Sequence, residues 1–119
     1  MNKEKKYKWH KIAGAIDELG LNSANLIEVE IEGKRICIGK GNSGLHACSA
    51  KCPHAGGIMA TGEIDSQDNI VCPLHRYKFS LANGRNVSGE GYYLKTYPVE
   101  IRPEGIFVGI EESSFNWLK

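Results

Sequence analysis

Two short segments, Cys52-Pro53-His54 and Cys72-Pro73-Leu74-His75, each place a thiolate donor beside an imidazole, and seventeen residues separate His54 from Cys72. Two thiolates and two imidazoles gathered in one site suit either a structural zinc ion or a mixed-ligand iron–sulfur cluster. The intervening chain has to bring Cys72 back to the end of the fold that holds Cys52. Gly62-Glu63-Ile64-Asp65 and Asn69-Ile70-Val71, on either side of Ser66-Gln67-Asp68, read as the hairpin that does so.

The rest of the chain carries the same β signature. Ile27, Val29 and Ile31 alternate with Glu28, Glu30 and Glu32, the period of a half-buried strand. A turn at Gly33-Lys34 leads to a return strand whose buried face holds Ile36 and Ile38, with Cys37 on the opposite face. Trp9 to Ala13 reads as an edge strand, and Ile16 to Gly20 as one helical turn closed by glycine. Tyr77, Phe79 and Leu81 run into an Asn83-Gly84 turn, a strong hairpin signal. Ser88-Gly89-Glu90-Gly91 is a loop, and residues 94–101 and 106–110 form two closing strands around Pro103-Glu104-Gly105. With no internal repeat, low-complexity segment or linker, residues 1–119 read as one all-β domain of roughly eight to ten short strands.

Gly39-Lys40-Gly41-Asn42-Ser43-Gly44 matches the G-x-G-x-x-G dinucleotide fingerprint letter for letter. That fingerprint works by opening a helix whose N-terminus holds pyrophosphate. Leu45-His46-Ala47-Cys48 is too short and too strand-like for that helix, so the segment reads as a flexible hairpin connection.

A net charge of +1 argues against a general nucleic-acid binder. Residues 1–11 carry five lysines against Glu4, a local +4 that leaves −3 for the remainder, and read as a solvated, frayed tail. No apolar run approaches the roughly 20 residues a bilayer span requires. The charged start has no apolar stretch behind it, so a signal peptide is not expected and the expected compartment is the cytoplasm. There, cysteines beside histidines bind metal more often than they pair. Cys52 and Cys72 are committed by their motifs. Cys48 precedes Cys52 by four residues, but the Cys-x-His pairing favours Cys52, which leaves Cys37 and Cys48 as packed free thiols.

With Ala55-Gly56-Gly57 after the first half-motif, and Phe79 and Asn83-Gly84 after the second, the two segments resemble the cluster-binding loops of Rieske ferredoxins. The resemblance covers both half-motifs, their order, spacing and glycines, and extends from about Trp9 to Ile110. It implies a β-sandwich of short antiparallel strands with a small cluster-binding subdomain at one tip, its loops at about 50–60 and 71–82. It also implies one 2Fe-2S cluster, with Cys52 and Cys72 on one iron and His54 and His75 on the other. Neutral imidazoles leave the second iron less negatively charged. Rieske centres accordingly lie between roughly −150 and +300 mV, against about −400 mV for plant-type ferredoxins. The electron is expected at the histidine-ligated iron, with the two rings as its route in and out.

High-potential relatives carry an extra cysteine in each loop, joined as a disulfide; Gly57 and Leu74 stand at those positions here. They also place a serine two residues, and a tyrosine four residues, after the second histidine, where this chain has Tyr77 and Phe79. Phe79 has no donor, and Tyr77 carries its hydroxyl too far out to copy a serine. Gly89-Glu90-Gly91 replaces a proline-containing loop found in many relatives. The chain therefore resembles the low-potential ferredoxins that feed aromatic-ring dioxygenases.

That likeness implies a one-electron carrier that is not itself an enzyme. A flavin reductase is the expected donor and an oxygenase-type protein the expected acceptor, with no nucleic acid, membrane or small-molecule substrate. A complete oxygenase needs a further iron held by two histidines and a carboxylate, and only His10 and His46 remain uncommitted. The alternatives are a small Rieske-like subunit of an assimilatory nitrite reductase and a non-redox Cys2His2 zinc module. Lys51, Arg76, Lys78 and Arg85 surround the donors in sequence and read as a positive collar for an acidic partner or as ordinary surface charge.

Overall fold

The computed structural model describes residues 6–54 and 56–112. Ten strands follow one another: β1 (Tyr7–Ala13), β2 (Leu26–Ile31), β3 (Lys34–Gly41), β4 (Gly44–Ser49), β5 (Glu63–Ile64), β6 (Asn69–Val71), β7 (Lys78–Ser80), β8 (Thr96–Tyr97), β9 (Val99–Arg102) and β10 (Gly105–Glu111). Single 3-10 turns lie at Ile16–Glu18 and Met59–Thr61. The strands form three antiparallel sheets, ordered β1-β10-β9, β2-β3-β4-β8 and β5-β6-β7. No helix among the described residues is long and apolar enough to cross a membrane.

The β2-β3-β4-β8 sheet is covered on both faces. On one face Ile31, Ile36, Ile38 and Ala47 pack against Ile106, Val108 and Ile110 of β10. On the other, Leu26, Cys37 and Cys48 pack against Ile70 and Phe79 of the small sheet, with Met59, Leu81 and Leu94. Ile36 to Gly39 are consecutively buried, as expected of a strand with a core on each side. Burial of each large aliphatic side chain contributes about 1.5–3 kcal/mol. The second of these cores also contains Cys52 and Cys72, so packing and the candidate site share one interior.

Several expectations are corrected. The β2–β3 turn is Glu32-Gly33, not Gly33-Lys34: both residues have positive φ (53° and 79°), as a tight two-residue hairpin requires, and Lys34 pairs with Ile31. The strand expected over 94–101 is broken at Pro98. β8 before it pairs with β4, and β9 after it pairs with β10. Proline has no N–H for a ladder, and its carbonyl instead accepts the Gly109 N–H at 2.9 Å. The lysine-rich start is not wholly a frayed tail, since β1 begins at Tyr7 and places Lys8 and Lys11 on a strand; Lys3 and Lys5 lie outside the described residues.

The glycine fingerprint is a β hairpin, and it is clamped rather than flexible. Gly39 and Gly41 end β3, Gly44 begins β4, and Asn42-Ser43 is the turn between them. Asp68 accepts the Asn42 N–H (2.7 Å), the Ser43 N–H (2.8 Å) and the Ser43 hydroxyl (2.7 Å). A Cβ on Gly41 would lie 2.6 Å from Asp68 Oδ1, so this glycine admits the clamp rather than a nucleotide.

Candidate metal centre

The first loop leaves β4 and folds on itself. The Cys52 N–H donates to the Gly57 carbonyl (2.8 Å), the Gly56 N–H returns to the Cys52 carbonyl (3.0 Å), and Met59 closes onto Ala50 (2.8 Å). The second loop connects β6 to β7 through a Cys72 N–H to Tyr77 carbonyl bond of 2.8 Å. Its tip holds His75 and Arg76 at φ 63° and 58°, two consecutive non-glycine residues in the left-handed region. Such a conformation costs on the order of 1–3 kcal/mol per residue and persists where the surrounding structure over-determines it. Here the loop is held by the Cys72–Tyr77 bond on one side and by an Arg76 Nη2–Glu63 contact of 2.9 Å on the other.

The two loops meet with like donors together. The His54 and His75 ring centroids are 5.2 Å apart, while Cys52 and Cys72 lie together in one buried cluster. Burial pushes the Cys72 thiol up to about 11; the Leu74 N–H opposes this and the neighbouring Cys52 adds to it. Metal loading therefore has to displace thiol protons. His54 Nδ1 is buried and has no hydrogen-bond partner. Leaving such a nitrogen without a partner costs about 1–3 kcal/mol, a cost that a metal bond to it removes. A donor set divided into a thiol pair and an imidazole pair fits a two-iron centre better than one zinc.

The family of Rieske [2Fe-2S] domains matches residues 8–98. The chain belongs to that family. Its cofactor is a 2Fe-2S cluster, and the donors described above fit it. Over 87 residues this Rieske chain is 26% identical to the ferredoxin component of the naphthalene 1,2-dioxygenase system of Pseudomonas aeruginosa, a match covering 72% of this chain and 83% of that one. The fold is shared with an NADH-dependent nitrite reductase small subunit from Mycobacterium tuberculosis (TM-score 0.78, 20% identity, 91% of this chain and 99% of that one). It is shared too with a chain in the complex of reduced oxygenase and oxidized ferredoxin in carbazole 1,9a-dioxygenase (TM-score 0.74, 22% identity, 88% and 95% covered).

Around the Rieske loops, several contacts were not legible from motif spacing. Tyr77 stacks on His54 with centroids 4.2 Å apart and planes at 25°, and its hydroxyl lies 3.4 Å from His54 Nε2. Tyr92 places its ring 5.3 Å from His54 and 6.0 Å from Tyr77. These two aromatic side chains cover the half-buried His54 ring, while His75 stays exposed. Phe79 is fully buried in the core that contains Cys52 and Cys72. A Cβ on Gly57 would come 3.3 Å from Leu74 Cγ, so the two positions that high-potential relatives bridge face each other here without sulfur.

Cys37 and Cys48 are cross-strand partners between β3 and β4, both buried and free. The Cys37 thiol beside it, together with burial, holds the Cys48 thiol well above its ordinary range. The basic collar is half-neutralised: Arg76 pairs with Glu63, and Lys78 with Asp65 at 3.4 Å, while Lys51 and Arg85 are exposed. The loop Gly89-Glu90-Gly91 is tied down through Glu90. Asn86 Nδ2 donates to its carboxylate at 2.9 Å, the Ser88 hydroxyl donates to the same oxygen, and Asn86 Oδ1 accepts the Gly91 N–H at 3.1 Å. A single acid between two glycines was the only sequence signal for that arrangement.

Proposed function

We propose that this chain is a Rieske ferredoxin, a one-electron carrier in which Cys52 and Cys72 hold one iron and His54 and His75 the other. The observation that carries the ligand assignment is the unpartnered, buried His54 Nδ1, positioned 5.2 Å ring to ring from His75 at the loop tips. When bound, the cluster supplies a one-electron couple. The protein supplies a dry pocket for the thiolates, 3% and 0% exposed at Cys52 and Cys72, and an exposed imidazole at His75 as the route for electrons. Tyr77 and Tyr92 fix the orientation of His54. The chain binds no small substrate in this reading. It takes electrons from a flavin reductase and delivers them to an oxygenase-type acceptor in the cytoplasm. The name of the Pseudomonas relative, a component of a dioxygenase system, supports that direction.

The test is spectroscopic. Purified protein is expected to be red-brown, with about two irons and two acid-labile sulfides per chain, and Cys52→Ser is expected to be colourless. A colourless wild type containing zinc would overturn the reading. The likeness in fold to a nitrite reductase small subunit favours a second reading, a subunit role in such a reductase. Retention of all four donors favours the carrier. Oxidation of the reduced protein by an oxygenase component, without stable association with a reductase large subunit, separates the two.

A further inference from the structure

The segment from Arg85 to Tyr93 runs past the imidazole end of the centre. It is tied to β7 by the Val87 N–H to Lys78 carbonyl bond of 2.9 Å, and it brings Tyr92 to within 5.3 Å of His54. Glu90 is the one acidic residue in this segment. Its carboxylate is held by the neutral donors Asn86 Nδ2 and Ser88 Oγ, whereas the nearby Glu63 and Asp65 are each paired with a cation. The two pairs largely cancel themselves. Lys51 and Arg85 are exposed on long, flexible stems, so water and salt screen them. Glu90 is therefore a charge near the histidines, among the described residues, that is fixed in place by neutral donors and not paired with a cation.

We propose that Glu90 sets the redox poise of this Rieske centre, its fixed negative charge opposing the arrival of the electron at the histidine-ligated end and so holding the potential down. The inference rests on the ligand assignment given under the proposed function. Reduction adds one negative charge to the centre, and a carboxylate within electrostatic reach disfavours it. That reach is geometric: the Ser88 hydroxyl that donates to Glu90 accepts the Lys78 N–H at 3.0 Å, next in the chain to Tyr77, whose ring stacks on His54 at 4.2 Å. The Ser88 and Asn86 hydrogen bonds keep the Glu90 carboxyl below the ordinary range, so it is ionised at neutral pH. Glu90 touches no reacting atom. It is a positioning residue that acts through the field at His54, and it lends an outgoing electron part of its driving force.

The experiment is protein-film voltammetry on the full-length, cluster-loaded protein, with visible and EPR spectra as a check that the centre is intact. Glu90→Gln keeps the acceptor for Asn86 and Ser88 while removing the charge. It is expected to shift the reduction equilibrium roughly three- to tenfold toward the reduced form, a rise of about 30 to 60 mV for a one-electron couple. Glu90→Lys should raise it about twice as far, Glu90→Asp should stay near wild type, and the remote, exposed Glu104→Gln should do nothing. A normal Rieske spectrum with an unchanged potential in Glu90→Gln overturns the proposal while leaving the carrier reading intact. Equal shifts in the Gln, Lys and Asp variants overturn it as well, because a loop distortion and not a charge would then be responsible. If Glu90→Lys does not fold, the contrast between Gln and Asp decides alone. A wild type without a Rieske spectrum removes the ligand assignment and this inference together.

Discussion

The Cβ that Gly57 lacks would lie 2.7 Å from the sulfur of Cys72. The backbone of the first loop is thus laid directly against a donor of the second, and the Gly57 carbonyl is at the same time committed to the Cys52 N–H. An alanine there must push the loops apart or displace the sulfur. Gly57→Ala is expected to lower iron and acid-labile sulfide per chain several-fold and to cost about 1–3 kcal/mol, the usual range for overpacking a tight site. Iron analysis beside a denaturation curve reads both. Full cluster occupancy in this variant would show that the second loop yields more easily than its hydrogen bonds suggest.

Cys48 separates structural from ligating sulfur. It shares an interior with Cys52 and Cys72 but faces Cys37 across the strands. Cys48→Ser is expected to keep the visible spectrum and to lose about 1–3 kcal/mol of stability, because a buried hydroxyl is left with only a weak sulfur partner. Denatured apoprotein is expected to titrate four thiols, matching the four free cysteines. Bleaching by Cys48→Ser would overturn the ligand set, and a count of two thiols would reveal a disulfide.

The alternation of Ile27, Val29 and Ile31 with glutamates was enough to place β2, and the two Cys/His half-motifs were enough to place both loops, because period and spacing are local properties of the chain. What escaped was non-local. Pro98 carries a local break in its missing N–H, but which sheet each half joins is set by distant partners, β4 for β8 and β10 for β9, and Gly109 of β10 donates to the Pro98 carbonyl. Tyr77 read as a misplaced hydroxyl, yet the second loop lays its ring on His54, 23 residues away in sequence. The Asp68 clamp on Asn42 and Ser43 is of the same kind. Loop-borne contacts leave no periodicity, so residue type alone advertises them weakly.

That clamp carries a pH signature. Backbone and hydroxyl donors from Asn42 and Ser43 hold the Asp68 carboxyl below the ordinary range. A carboxyl whose folded value is depressed contributes stability that is fully present above its unfolded value, about 3.9. That contribution is lost as pH falls through the folded value. Asp68→Asn is therefore expected to melt at a lower temperature than wild type at neutral pH, with the gap closing toward pH 3. Thermal melts across that window check it, and a gap independent of pH would mean that the carboxylate charge contributes nothing to the clamp.

The potential itself is expected near the lower end of the Rieske range, about −150 mV. Two positions that supply hydroxyl donors toward cluster sulfur in high-potential relatives do not do so here. Phe79 is fully buried beside Cys52 and Cys72 and has no donor, and the Tyr77 hydroxyl is directed at His54 Nε2. The opposing influence is local positive charge. Arg76 and Lys78 are largely cancelled by Glu63 and Asp65, and what remains on Lys51 is exposed and screened over about 8–10 Å. A hydrogen bond to sulfur acts at contact in a dry interior, so its absence outweighs screened charge. Phe79→Tyr is expected to raise the midpoint by restoring one donor, at a packing cost of about 1–3 kcal/mol. Voltammetry of the two proteins decides. A wild-type midpoint above zero would mean that another donor, with the Leu74 N–H beside Cys72 as the first candidate, does the work of both missing hydroxyls.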